Sequence, residues 1–186
     1  MDREARRTCE SVIRDTGIRP GDTVLDFGCG IGNYTIPAAK QVGHRGTVYA
    51  VDTNGSKLKE LSDDADREHV ADVIHLCHTN GEASLDLPSD SIDVVLLYDI
   101  FWYFGIGEEL RVLLGEVRRL LRADGLLSVL PQHIDAPALQ SEIESAGFTL
   151  RRHSACRVFH DHEIQSGEIF TFRKAAPKAG IQSVPA

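Results

Sequence analysis

The sequence is short of positive charge. Its 186 residues hold 20 Lys and Arg against 28 Asp and Glu, a formal net charge of −8 at neutral pH. A broad electrostatic grip on nucleic acid or on an anionic membrane needs the opposite sign, so neither is the expected partner, a small local basic patch aside. Long apolar runs are missing too: none reaches the roughly 20 residues that span a bilayer. The first ten residues, MDREARRTCE, carry charges with no apolar stretch behind them, which is not the pattern of a secretory leader. Cysteine is scarce and scattered. Cys9, Cys29, Cys77 and Cys156 form no CxxC pair and no disulfide framework, which points to reduced thiols in a cytoplasmic protein. Internal repeats and linker-like stretches are absent. One domain over residues 1–174 is expected, followed by a small, polar, disordered tail over residues 175–186.

What is present alternates between two periods. TVLDF (Thr23–Phe27) is a β-branched and apolar run between turn signals and reads as a buried strand. GTVYAVD, ADVIHLC, SIDVVLLYD and LLSVL read as four more, the fourth apolar nearly throughout, as a strand covered on both faces would be. Between them lie helical patterns. Asn33 to Val42 reads as a helix opened by a glycine loop, with Pro37 in its first turn or just past it. SKLKELSDDADRE is polar, with Leu58 and Leu61 three apart. Leu110, Leu113, Leu114, Val117, Leu120 and Leu121 form one apolar stripe, with Gly125 as the expected C-terminal stop. Ala138 to Ala146 is a short helix ended by Gly147. FTLRRHSACRVF and EIFTFRK close the chain as two strands with no helix between them, hence antiparallel neighbours. Strand–helix alternation five times over argues an α/β fold with a doubly wound parallel sheet, the closing pair adding an antiparallel strand at one edge.

In such a sheet the ligand sits beyond the carboxyl ends of the strands. The first strand-to-helix turn there is VLDFGCGIGNYT, with Gly28, Gly30 and Gly32 spaced two apart. Glycines let backbone come close to a ligand, and free amides at the helix start face it. A dinucleotide fingerprint, G-x-G-x-x-G, would need glycine where Asn33 stands, which disfavours NAD and FAD. No Lys-Ser or Lys-Thr follows, so this is no phosphate-binding P-loop. Asp26, just before the glycines, repels a pyrophosphate and suits an ammonium. Asp52, ending the second strand, is placed to accept hydrogen bonds from ribose hydroxyls. The ligand so described has a ribose, a cationic amino-acid-like end and no phosphate, which fits S-adenosylmethionine.

At this point the residues resemble a known family. VLDFGCGIG is similar to the first motif of the class I S-adenosylmethionine-dependent methyltransferases, and VYAVD to their second-strand motif. GEASLDLPSDSIDVVLLYD resembles their stretch from the adenine loop through the fourth strand, and VRRLLRADGLLSV their passage into the fifth. The resemblance covers roughly Gly17 to Leu130. It implies a Rossmann-like, mostly parallel seven-stranded sheet, S-adenosylmethionine as cofactor and methyl transfer to a small-molecule acceptor. Residue by residue, it implies that Asp26 and the loop Gly28, Cys29, Gly30 and Gly32 hold the methionine end. Asp52 would hold the ribose, with Thr53 beside the adenine. Glu82 would accept from the adenine amino group, with the Gly81 and Ala83 backbone reading the ring. Tyr98 would lie by the amino-acid end. Where members that methylate amino groups of nucleic acid or glutamine carry Asn-Pro-Pro-Tyr, this chain has YDIF.

Plainer roles stand beside these. Asp26 is also suited to order a turn, Asp52 to cap the following helix, Glu82 to face solvent and Cys29 to pack behind the loop. Asp99, Trp102 and Tyr103 follow the fourth strand, where the family places substrate contacts, but the cluster FWYF suits a core equally. Asp99, Tyr103 and His133 are the candidates for catalytic work, with His133 either a general base or a solvated loop histidine. His75 and His78 cannot share a strand face, and His160 and His162 can, with no third ligand evident, so no metal site is expected. The stretch Arg3–Asp15 is a candidate helix covering the cofactor. A chain that retains the cofactor cleft as a non-catalytic partner or sensor is the alternative function.

Overall fold

A computed structural model describes residues 1–175. Except for Ala175, the tail expected to be disordered lies outside the described residues. Seven strands, β1 (Thr23–Phe27), β2 (Thr47–Asp52), β3 (Ile74–His78), β4 (Ile92–Tyr98), β5 (Leu121–Leu130), β6 (Phe148–His160) and β7 (Glu163–Lys174), form one sheet in the order β3-β2-β1-β4-β5-β7-β6. Helices α1 (Arg3–Thr16), α2 (Thr35–Val42), α3 (Gly55–Arg67), α4 (Glu108–Leu120) and α5 (Ala136–Ser145) cover its faces. The first five strands pair in parallel, and β7 runs antiparallel to both β5 and β6. The antiparallel strand therefore falls at the expected end of the sheet, one place in from the edge that β6 forms.

Period-two alternation splits the core between the two faces. Leu25, Phe27, Val95 and Leu97 pack with the α4 stripe on one side. Val24, Val94, Leu96 and Tyr98 pack with α1 and α2 on the other. The order of strands reverses between β1 and β4, and a crevice opens there beyond their carboxyl ends.

Three local expectations change. The buried face of α4 runs from Leu110 to Leu120, but Leu121 is extended and begins β5. Its side chain is still fully buried, because an apolar residue meets the core whichever element carries it. Gly125 is accordingly not the helix stop. It lies in an irregular stretch where Ile92 pairs with Leu121 and Val94 with Leu126, and a Cβ there would come within 3.1 Å of the Asp93 and Arg122 carbonyl oxygens. The helix expected over Arg3–Asp15 forms, with Asp2 as its cap, but it packs on α2 and β6 and does not cover the crevice. The cap of α3 is Asn54, whose side chain accepts from the Ser56 and Lys57 amides, which leaves Asp52 for other work.

Candidate active site

A cleft of about 1130 Å³ lies over the β1/β4 switch point. Single-ligand sites hold roughly 300–1,000 Å³, so this one has room for a cofactor and an acceptor end to end. Its charge is one-sided. Asp52, Asp99, Glu108, Glu109 and Asp161 line it against a single Lys57, with no arginine. Such a lining attracts a cationic ligand and repels a phosphate.

The glycine loop forms one wall. Gly28, Gly30 and Gly32 all have positive φ, at 81°, 56° and 87°. Two of them are required by packing. A Cβ on Gly28 would meet Ile100 at 2.4 Å and one on Gly32 would meet buried Leu61 at 2.2 Å, whereas a Cβ on Gly30 would meet nothing within 4 Å. Gly30 thus presents bare backbone to the open cleft. Its amide donates to Asp52 Oδ2 at 2.8 Å, and Asp52 Oδ1 accepts from the Asn54 amide at 2.8 Å. A carboxylate has about four lone-pair sites, so Asp52 keeps two for a ligand.

Asp26 is buried and does not line the cleft. Thr35 at the start of α2 donates to its Oδ2 at 2.6 Å. Burial pushes its carboxyl up to about 6, a rise that the Thr35 bond reduces and the Asp52 charge increases. Cys29 borders the cleft but is buried, and burial, with Asp26 and Asp52 nearby, holds its thiol protonated. Thr53, Gly81 and Ala83 line the cleft with Thr79, while Glu82 is exposed and stays outside the lining. That loop is clamped from α4. Arg119 donates to the Leu85 and Leu87 carbonyls at 3.1 and 2.9 Å, and its partner Glu116 accepts from the Leu85 amide at 2.9 Å. Tyr98 borders the cleft, but its ring stacks edge-on against Tyr34 and its hydroxyl is bonded to Ser128 at 2.7 Å.

The other half of the cleft is aromatic. The FWYF cluster divides: Phe101 is buried and Phe104 packs edge-on against Phe27, while Trp102 and Tyr103 stand 66% and 76% exposed at the rim. Opposite them is the tip of the β6–β7 hairpin, a part of the site that sequence reasoning missed. The sequence pattern places these strands over 148–159 and 168–174, but β6 and β7 continue to a two-residue turn, Asp161-His162. Both residues have positive φ, as the favoured two-residue turn requires. Tyr34 pins this tip: its hydroxyl donates to the Phe159 carbonyl and accepts from the Phe159 amide. The hairpin brings His160 beside Asp99 and His133, two of the three catalytic candidates. Tyr103 lines the cleft apart from that cluster. His162 lines the cleft without joining the cluster. His75 instead stacks on Tyr49, and His78 bonds the Thr53 carbonyl, holding the turn after β2.

The fold and the cleft can now be set against known proteins. Residues 25–129 match the sequence profile of the methyltransferase domain family. This chain belongs to that family, within the class I S-adenosylmethionine-dependent methyltransferases. It is 34% identical over 120 residues to a ubiquinone/menaquinone biosynthesis C-methyltransferase of Hydrogenovibrio crunogenus, covering 63% of this chain and 45% of that one. It is 31% identical over 127 residues to a 2-phytyl-1,4-naphtoquinone methyltransferase of Trichormus variabilis, covering 67% and 52%. The chain thus spans about half the length of these curated relatives. A SAM-dependent methyltransferase structure from Aquifex aeolicus superposes with a TM-score of 0.72 over 92% of this chain and 94% of that one, at 19% identity, a likeness of fold. Within this methyltransferase chain, no helix of the described residues is long and apolar enough to cross a membrane.

Proposed function

We propose that this chain binds S-adenosylmethionine along the glycine loop and transfers its methyl group to a small, largely apolar aromatic acceptor seated against Trp102, Tyr103 and Phe104. The observation that carries this is the division of one cleft into a glycine-walled half that holds Asp52 and a half lined by Trp102, Tyr103 and Phe104. Open space before Gly30, two free lone-pair sites on Asp52 and a near absence of cations suit a ligand with a ribose and positive charge. The curated relatives are named for quinone substrates, which are flat and apolar, and this supports an acceptor of that class.

The residue roles follow the family's pattern. Asp52 holds the ribose hydroxyls, and Thr53, Gly81 and Ala83 flank the adenine. Gly28, Cys29, Gly30 and Gly32 lend backbone to the methionine end, with Asp26 behind them and Tyr98 beside it. Glu82 reaches the adenine amino group by turning in from its exposed position. When bound, the cofactor supplies a methyl carried on an electrophilic sulfonium. The chain has to orient the acceptor, exclude water and take any proton the acceptor loses. Orientation alone supplies about 7–11 kcal/mol. The aromatic rim does the first two tasks. Asp99 lines the acceptor half, with His133 beside it, for the third. As a reduced, acidic chain it is placed in the cytoplasm, acting as one domain over residues 1–174 without nucleic acid as partner.

The test is mass-spectrometric detection of methylated product from the purified chain, S-adenosylmethionine and a panel of phenols and hydroquinones. Methylation of at least one hydroquinone is expected. Cofactor binding without turnover on any acceptor would instead favour a non-catalytic binder.

A further inference from the structure

We infer that Asp99, His133 and His160 form a binding site for one divalent transition-metal ion at the acceptor end of the cleft. One ligand atom from each lies within 4.8 Å of the other two. The three come from separate elements: Asp99 just after β4, His133 just after β5, and His160 ending β6. Two imidazoles and one carboxylate make a donor set that suits zinc and its first-row neighbours.

Three observations point to a ligand. First, His160 Nε2 and His133 Nε2 share a hydrogen bond at 2.6 Å, so two ring nitrogens converge on a space where an ion would replace the shared proton. Two nitrogens on one tetrahedral ion stand roughly 3.3 Å apart, so an opening of well under ~1 Å admits the ion, and exposed His133 is free to give it. Second, a polar atom is left over. The His160 side chain is only 3% exposed, and its Nδ1 faces Asp99 Oδ2 at 2.8 Å, which turns Nε2 toward His133. Asp99 Oδ1 is buried and unpartnered. Buried polar atoms without partners are rare unless something is meant to meet them. Third, the backbone is bent to make the cluster. Six non-glycine residues have positive φ among those described; Asp99 and His133 belong to the cluster, while Asp161 and His162 take theirs from the hairpin turn beside it. Residues with a Cβ seldom adopt that conformation, and it collects at functional sites. The surroundings agree. Asp161 Oδ2 lies 3.2 Å from His160 Nε2, and Trp102 packs at a tilt against His133 at a ring separation of 4.1 Å. The acidic lining of the cleft is partly neutralised by a divalent cation.

The inference does not rest on methyl transfer and is tested without it. The full chain, stripped with chelator, is titrated with zinc by calorimetry and with Co²⁺ followed by visible absorption. One ion per chain is expected, with the bands of a histidine-ligated, low-symmetry Co²⁺ site. His133→Ala, at an exposed position that leaves folding intact, should weaken zinc binding by more than the roughly 10–100-fold that loss of an outer-shell partner brings. Asp99→Asn should weaken it as well. No binding, or binding unchanged in His133→Ala, which would place the ion on other histidines or thiols, overturns the proposal. A parallel titration with S-adenosylhomocysteine reports on the cofactor half alone, so failure of the metal site and failure of the methyltransferase reading give different results.

Discussion

The amide of Gly30 donates to the carboxylate of Asp52, 22 residues along the chain, at 2.8 Å. One bond thus joins the bare apex of the glycine loop to the acid that ends β2, and sets the distance between the two ends of the proposed adenosyl site. The bond uses the Gly30 amide and leaves Asp52 two lone-pair sites toward the space where a ribose would lie.

Glycines of one loop should separate by cause. Gly32→Ala drives a Cβ into fully buried Leu61 and also forces an alanine into the left-handed conformation, so a loss of about 2–5 kcal/mol of stability is expected. Gly30→Ala meets no protein atom, so its stability cost is the left-handed backbone alone, about 1–2 kcal/mol. Its cofactor affinity should fall much further than its stability, because the new methyl enters the cleft. Thermal melts and calorimetry on both variants check this. Equal loss of affinity and stability in Gly30→Ala would show that the space is not used.

The cofactor-free chain should become less stable between about pH 4 and pH 6 on account of Asp26. The folded state keeps this proton up to about 6, whereas an unfolded Asp releases it near 3.9. Between those values the native state binds more protons, so stability falls as pH rises and then levels off. Asp26→Asn keeps an acceptor for Thr35 and removes the slope. The variant should match the parent near pH 4 and exceed it at pH 7 by up to about 3 kcal/mol, two pK units at 1.36 kcal/mol each. Denaturation at four pH values tests the trend, and a gap between the two proteins that does not widen with pH would refute it.

Arg119→Ala releases the loop that carries Gly81 to Ala83. The variant loses two bonds to the Leu85 and Leu87 carbonyls and leaves the Glu116 carboxylate without its partner. At this partly exposed position a small loss of stability is expected, with a severalfold loss of cofactor affinity. Hydrogen exchange of the Leu85 and Leu87 amides should rise with it.

Tyr103 should matter to the acceptor alone. At 76% exposure, its replacement by alanine should change stability by less than about 0.5 kcal/mol. The acceptor KM should rise while cofactor affinity stays unchanged. A shift in cofactor affinity would move Tyr103 to the other half of the cleft.

Much of the fold was legible because its signals are local. The run Thr23–Phe27, the three glycines and the acid at Asp52 sit within short windows whose periodicity and turn chemistry name their elements. The end of α4 was misjudged because Leu121 satisfies the helical stripe and the strand equally, and only pairing with Ile92 decides. The place of β7 was also beyond reach, since no local pattern says which strand an antiparallel one enters beside. The His160 half of the site was hidden for the same reason. His160 meets His133 across 27 residues only because β7 lies between β5 and β6, which brings the hairpin tip over the cleft. The turn residues Asp161 and His162 gave no warning, as neither is the glycine that usually marks such a turn.

The central claim is tested most directly by calorimetric titration of the purified chain with S-adenosylmethionine and S-adenosylhomocysteine, beside NAD and ATP, and by repeating it on Asp52→Ala. One adenosyl site per chain is predicted, with affinity falling at least about tenfold in the variant, since each charge-assisted bond lost is worth about 1.5–3 kcal/mol. Binding of a phosphate-bearing nucleotide in place of both sulfur compounds, or undiminished binding to folded Asp52→Ala, would contradict the account.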